Sequence, residues 1–216
     1  ARRPGLIKTV GVVAGDRTFV IFCAIMSGYY LLNTQLYITV PLETQRLTGS
    51  TSKLGIIYLV NSLVAISLQF PLIKLASKRL GSLQIIVTGV AVLGLALSAI
   101  GLGAGFPAVL ASVALIAVSR VLVEPVVNTS VAGIAARGGE GMLASYFGFA
   151  ALSIAIGGSI GQLLGGWLYD LAGVLSRPSL PWLAFGAIGA VVTVSLAIYA
   201  RTSGATRLEP AEAAAT

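Results

Sequence analysis

Uncharged apolar runs divide the chain. Residues 18–42, 54–73 and 80–119 contain no Asp, Glu, Lys or Arg. About 20 helical residues cross a hydrocarbon core of ~30 Å, so the first two runs each predict one crossing. The third is forty residues long, too long for one. Its break is Gly101-Leu102-Gly103-Ala104-Gly105-Phe106-Pro107. Further apolar segments follow a turn at Arg137–Gly141 and another at Ser176-Arg177-Pro178. The pattern predicts an all-α membrane protein of six transmembrane helices, at about 18–41, 54–75, 82–102, 107–136, 142–170 and 181–200. Pro41 is read as the end of the first span. Glu43, Arg46, Gly49 and Lys53 form the loop after it, and Pro71 kinks or ends the second span.

The polar positions inside these runs are patterned too. Tyr30, Asn33 and Tyr37 are spaced three and four apart, so a continuous helix puts them on one face. Asn61 and Gln69 are eight apart and share a face of the second span. In the fourth span Arg120 and Glu124 form an i,i+4 pair, and Asn128 continues that face. A charge near the bilayer centre costs at least about 2.5–3.5 kcal/mol, so this pair calls for a partner or a wet cavity. Tyr30, Asn33, Asn61, Arg120 and Glu124 fall at similar depth. They, with Tyr37 and Asn128, are the candidate lining of one midplane cavity, where secondary transporters bind substrate. The competing reading is a self-neutralised pair and scattered interhelical hydrogen bonds. Gly157, Gly161 and Gly165 make two overlapping GxxxG steps, the pattern of close helix packing.

Composition agrees. Hydrophobic residues are 56% of the chain, charged residues 10%, and mean hydropathy is +0.95. Soluble domains carry about 25% charged residues. The net charge of +7 reflects cytoplasmic loops rather than nucleic-acid binding. Ten Lys and Arg fall on the side of the termini and three on the other, which places both termini in the cytoplasm. Trp167, Tyr169 and Trp182 are expected at the outer interface and Tyr199 at the inner one. Residues 1–17 read as a cytoplasmic linker and 201–216 as a disordered tail. The chain opens on Ala1 with no signal peptide in view, as a piece of a longer protein would.

Chemistry is sparse. Cys23 is the single cysteine and there is no histidine. No catalytic residue, metal site or cofactor is therefore expected. Gly157-Gly158-Ser159-Ile160-Gly161 matches a nucleophile elbow in letters only, because it lies inside an apolar helix and lacks a base.

On these residues the chain resembles the carboxy-terminal six-helix half of a major facilitator superfamily transporter, in its drug:proton antiporter branch. The matching stretches are Asp16-Arg17-x-Phe19, the run from Tyr30 through Gln35 to Pro41-Leu42, and Leu54 to Asn61 with Gln69-Phe70-Pro71-Leu72. Glu124-Pro125 and the segment Gly157 to Asp170, closing Gly165-Gly166-Trp167-Leu168-Tyr169-Asp170, complete them. The resemblance implies a twelve-helix protein with substrate held between two halves. It also implies gating at the loop after the second span, here by Lys78, Arg79 and Gly81. Ser77 stands where that loop usually carries an acid, which weakens a carboxylate-based gate.

The expected function is proton-coupled efflux of small amphipathic compounds by alternating access, in a bacterial inner membrane. The expected partners are the lipid bilayer, an amino-terminal six-helix half, protons and a small-molecule substrate. An uncoupled metabolite facilitator and a self-assembling six-span channel or transporter remain alternatives. An enzyme is not expected.

Overall fold

The computed structural model describes residues 6–103, 105–137 and 141–204. Among these the secondary structure is entirely helical: α1 (Leu6–Gly15), α2 (Arg17–Asn33), α3 (Thr39–Thr48), α4 (Leu54–Ser77), α5 (Ser82–Ile100), α6 (Gly105–Arg137), α7 (Leu143–Val174) and α8 (Leu180–Tyr199). Six segments are long and apolar enough to cross a membrane: Arg17–Thr48, Leu54–Ser77, Ser82–Ile100, Gly105–Arg137, Leu143–Val174 and Leu180–Thr202. The chain is an all-α membrane protein.

Local sequence explains several helix ends. The Asp16 carboxylate accepts from the Phe19 N–H at 3.2 Å and caps α2, which leaves one fewer unpaired donor at that end. Gly49, at φ 67°, closes α3 by donating its N–H to the Gln45 carbonyl at 2.8 Å; a residue with a Cβ would be strained there. At the start of α5 the Gly81 N–H donates to the Gln84 side chain at 3.1 Å.

α5 is the centre of the bundle, between α6 and α8. Gly94 of α5 meets Gly189 of α8 backbone to backbone, and a Cβ on Gly94 would sit 3.1 Å from the Gly189 Cα. α2 lies against α7 and α8 and buries Phe19, Phe22, Met26, Tyr29 and Leu32. α4 is peripheral: it buries only Ile57 and Asn61, and packs on α6.

The structure departs from the sequence reading in several places. The first span does not end at Pro41. Helix α2 breaks into a 3-10 turn over Thr34–Leu36 and resumes as α3 to Thr48. Pro41 is the third residue of α3, where its missing N–H would have no helical partner anyway. Glu43 and Arg46 are therefore helical rather than in a loop. Pro71 does not end α4, which runs on to Ser77. Of the four aromatics expected at the interfaces, Trp167 is exposed, Trp182 and Tyr199 are buried, and Tyr169 donates a hydrogen bond to Glu43. Of the tail, Ala200–Gly204 form a π-turn that prolongs α8, and 205–216 lie outside the described residues.

Candidate functional site

Arg120 and Glu124 sit near the middle of the 33-residue helix α6. The Arg120 Nε donates to Glu124 Oε1 at 3.1 Å. Their side chains are 28% and 39% exposed, because they open into a cleft of ≈ 540 Å³ between α4 and α6. α4 contributes Asn61 and Gln69 to this cleft, and α6 contributes Arg120, Glu124, Pro125 and Asn128. Pro125 has no N–H for the Val121 carbonyl one turn earlier, and Val121 also lines the cleft. The cleft thus combines a cation, a carboxylate and amides with the apolar side chains of Ala65, Ile66, Ala117, Val121 and Pro125. Asn61 is only 7% exposed, and its Nδ2 has no hydrogen-bond partner within the protein.

Tyr37 reaches the site from outside the cleft. Its hydroxyl accepts from Arg120 Nη1 at 3.1 Å. Its ring stacks on Tyr58 of α4, with centroids 6.2 Å apart and planes 18° from parallel. Arg120 is therefore shared between a carboxylate on its own helix and a phenol from the first span.

Tyr30 and Asn33 do not line the cleft. The ring of Tyr30 packs edge-on against Tyr29 at 5.1 Å. The Oδ1 of Asn33 is buried with no partner within the protein. The expectation of one stripe through Tyr30, Asn33 and Tyr37 assumed an unbroken helix, and the turn at Thr34–Leu36 destroys that phase. Tyr29 and Tyr30 nevertheless lie within electrostatic reach of Glu124. Tyr29 is fully buried.

Gly157, Gly161 and Gly165 line one buried face of α7 and press on the first span. A Cβ on Gly157 would collide with the Ser27 carbonyl, one on Gly161 would lie 2.6 Å from the Leu31 carbonyl, and one on Gly165 would collide with the Gln35 side chain. Lys78 is the C-cap of α4, Arg79 follows it and Gly81 caps α5. Lys78 and Arg79 are exposed, away from the cleft lining.

Three residues were not singled out as site residues from sequence. Gln35 is 0% exposed and bonds the carbonyl of Gly161 across to α7. Glu43 is 3% exposed. Arg46 holds it from two nitrogens, at 2.9 and 2.6 Å, and the Tyr169 hydroxyl donates to it at 3.1 Å. Glu43, Arg46 and Tyr169 border a second, smaller cavity of ≈ 200 Å³. The available signal for Gln35 was its place in an uncharged run, two residues past Asn33.

No family model matches the chain. It is 29% identical over 187 residues to the multidrug resistance protein MdtH of Citrobacter koseri, a match that covers 87% of this chain and 46% of that protein. To the protein of the same name from Salmonella paratyphi B it is 29% identical over 184 residues, 85% of this chain and 45% of the relative. The chain is thus a relative of these multidrug resistance proteins along nearly its whole length, spans about half of theirs, and bears out the resemblance to a six-helix half of a drug-antiporter-like transporter of the major facilitator superfamily.

Proposed function

We propose that the chain is the carboxy-terminal half of a multidrug efflux transporter of the bacterial inner membrane. It works with an amino-terminal six-helix half by alternating access, and exports small amphipathic compounds in exchange for protons. The observation that carries this reading is the Arg120–Glu124 pair, mid-helix in α6 and open to a cleft. A purely structural pair has no need of an open cavity. Intramembrane ionisable groups that face a cavity mark substrate or ion pathways.

Two further facts support it. The relatives are called multidrug resistance proteins and are about twice as long as this chain. Apart from the Arg120–Glu124 pair the cleft lining carries no formal charge, and it mixes amides with Ala65, Ile66, Ala117, Val121 and Pro125, which suits weakly cationic, amphipathic compounds better than sugars or phosphates. In the same reading both termini lie in the cytoplasm, which the Lys and Arg bias supports.

The test is efflux of a fluorescent amphipathic cation from energised cells that express the whole transporter with Glu124→Gln. Efflux falls severalfold or more at unchanged membrane abundance. Normal efflux by this variant overturns the assignment of Glu124.

A further inference from the structure

The helix break in the first span decides where Tyr37 points, and the sequence of the break does not enforce it. Residues 34–38 are Thr-Gln-Leu-Tyr-Ile, without glycine or proline. Pro41 helps from one side, since it has no N–H for the Tyr37 carbonyl. The other influence is a side chain. The Gln35 Nε2 donates to the Leu31 carbonyl at 2.8 Å, in the last turn of α2. The same nitrogen donates to the Gly161 carbonyl of α7 at 2.9 Å. The Gln35 Oε1 accepts from the Thr39 hydroxyl at 3.0 Å, at the first residue of α3. One buried amide thus joins the helix before the break, the helix after it and the helix beside it.

α7 is shaped to receive this amide. Its Gly165 has no room for a Cβ beside the Gln35 side chain, and Gly161 has none beside Leu31. An apolar residue of Gln35's size would fill the same space but would leave the Thr39 hydroxyl without its side-chain acceptor and the Gly161 carbonyl without this donor. On the opposite side of the same turn, Tyr37 accepts from Arg120 at 3.1 Å. The turn is held by α7 through Gln35 and touches α6 through Tyr37.

We propose that Gln35 is a positioning residue of the charged site: it fixes the 3-10 turn against α7 and so presents the Tyr37 hydroxyl to Arg120. Its effect on transport rests on the reading that the Arg120–Glu124 cleft binds the exported compound. Its effect on Tyr37 does not. With Gln35 in place, Arg120 divides its donors between Glu124 and Tyr37. Without it, Tyr37 is released and Arg120 turns wholly to Glu124, which leaves the carboxylate more fully paired and less available to a ligand.

The test uses the whole transporter with 3-fluorotyrosine at position 37, in lipid nanodiscs. Gln35→Met removes the amide at nearly constant volume. Thr39→Val removes one of its bonds and is the milder variant should the first fail to fold. The fluorine resonance of residue 37 shifts in both variants, in the direction also seen for Arg120→Gln. A resonance unmoved in both overturns the proposal. In transport, Gln35→Met raises KM about tenfold, the scale of one hydrogen bond to a charged group, with kcat within about twofold. Combined with Tyr37→Phe it adds little, because both act through the same contact. Two KM effects that multiply also overturn the proposal. A native protein that moves no amphipathic cation defeats the transport reading instead, and the fluorine shift still decides the role of Gln35.

Discussion

The Tyr169 hydroxyl of α7 donates to the Glu43 carboxylate of α3 at 3.1 Å. Arg46 already pairs with Glu43 from both its Nε and an Nη, so the carboxylate is anchored on two sides. Arg46 is 45% exposed and the Glu43 side chain 4%. The arginine can return to water if its partner is lost, but the nearly buried carboxylate cannot, so Arg46 is the partner that keeps a costly buried charge from standing alone. The bond from Tyr169 joins two helices and is shielded. Tyr169→Phe is expected to cost about 1 kcal/mol, read as a small fall in melting temperature of the purified protein. Glu43→Ala is expected to cost more, because it removes both partners' acceptor. Equal melting of Tyr169→Phe and native protein would show that the bond contributes nothing.

Gly161, like Gly157, meets the backbone of α2 too closely for a Cβ, and its three nearest atoms all belong to the Leu31 backbone. A Cβ there would lie 2.6 Å from the Leu31 carbonyl and 2.9 Å from its Cα. Backbone atoms cannot rotate aside, so Gly161→Ala has to push the helices apart. The expected loss is about 1–3 kcal/mol, the scale of overpacking. Gly148 is on the same helix with nothing within 4 Å of a Cβ. Gly148→Ala is therefore neutral or stabilising by up to about 1 kcal/mol, the helix propensity difference. Thermal melts of the two variants side by side check this, and a Gly161→Ala that melts with Gly148→Ala would refute the close approach.

What the sequence shows and what it hides divide along physical lines. The six apolar runs are legible because lipid leaves no alternative: each crossing must satisfy its backbone internally and present about 20 apolar residues. Arg120, Glu124 and Asn61 are legible for the same reason, since each stands out in an uncharged or apolar background. The break at Thr34–Leu36 is not legible, because the residue that braces it bonds a carbonyl 126 positions away. Glu43 is hidden likewise: Glu, Arg and Gly close together look like a loop, and its shield, Tyr169, is also 126 positions distant. Trp182 looks like an interfacial anchor, yet it is fully buried. Room for it comes from Gly101, where a Cβ would lie 2.8 Å from that of Trp182.

The pairing of Arg120 with Glu124 admits a direct test of role. Arginine precedes glutamate on the helix, the less favourable orientation for an i,i+4 pair, and both side chains are partly exposed. Its own contribution to stability is therefore at most about 1 kcal/mol. If the pair serves only to neutralise itself, Arg120→Ala with Glu124→Gln restores the efflux that either single change removes. The expected outcome is the opposite. The double variant remains as poor as Glu124→Gln, because the carboxylate is needed for the ligand or the proton. Efflux of the two single variants and the double, at matched membrane abundance, gives the answer.

Asn61 separates stability from function most sharply. It is 7% exposed and lines the cleft, and its Nδ2 has no partner within the protein. An unpaired buried amide costs about 1–3 kcal/mol. A fold selected for stability alone would place leucine here, on a helix otherwise rich in Leu and Ile. Asn61→Leu is therefore expected to melt at the same temperature as the native protein or higher. Its KM for the exported compound is expected to rise severalfold, since the cleft loses one of the polar side chains of its lining. That combination is the trade between stability and activity seen at binding sites. A variant that melts well below the native protein, with KM unchanged, would make Asn61 a strut between α4 and α6 and remove it from the site.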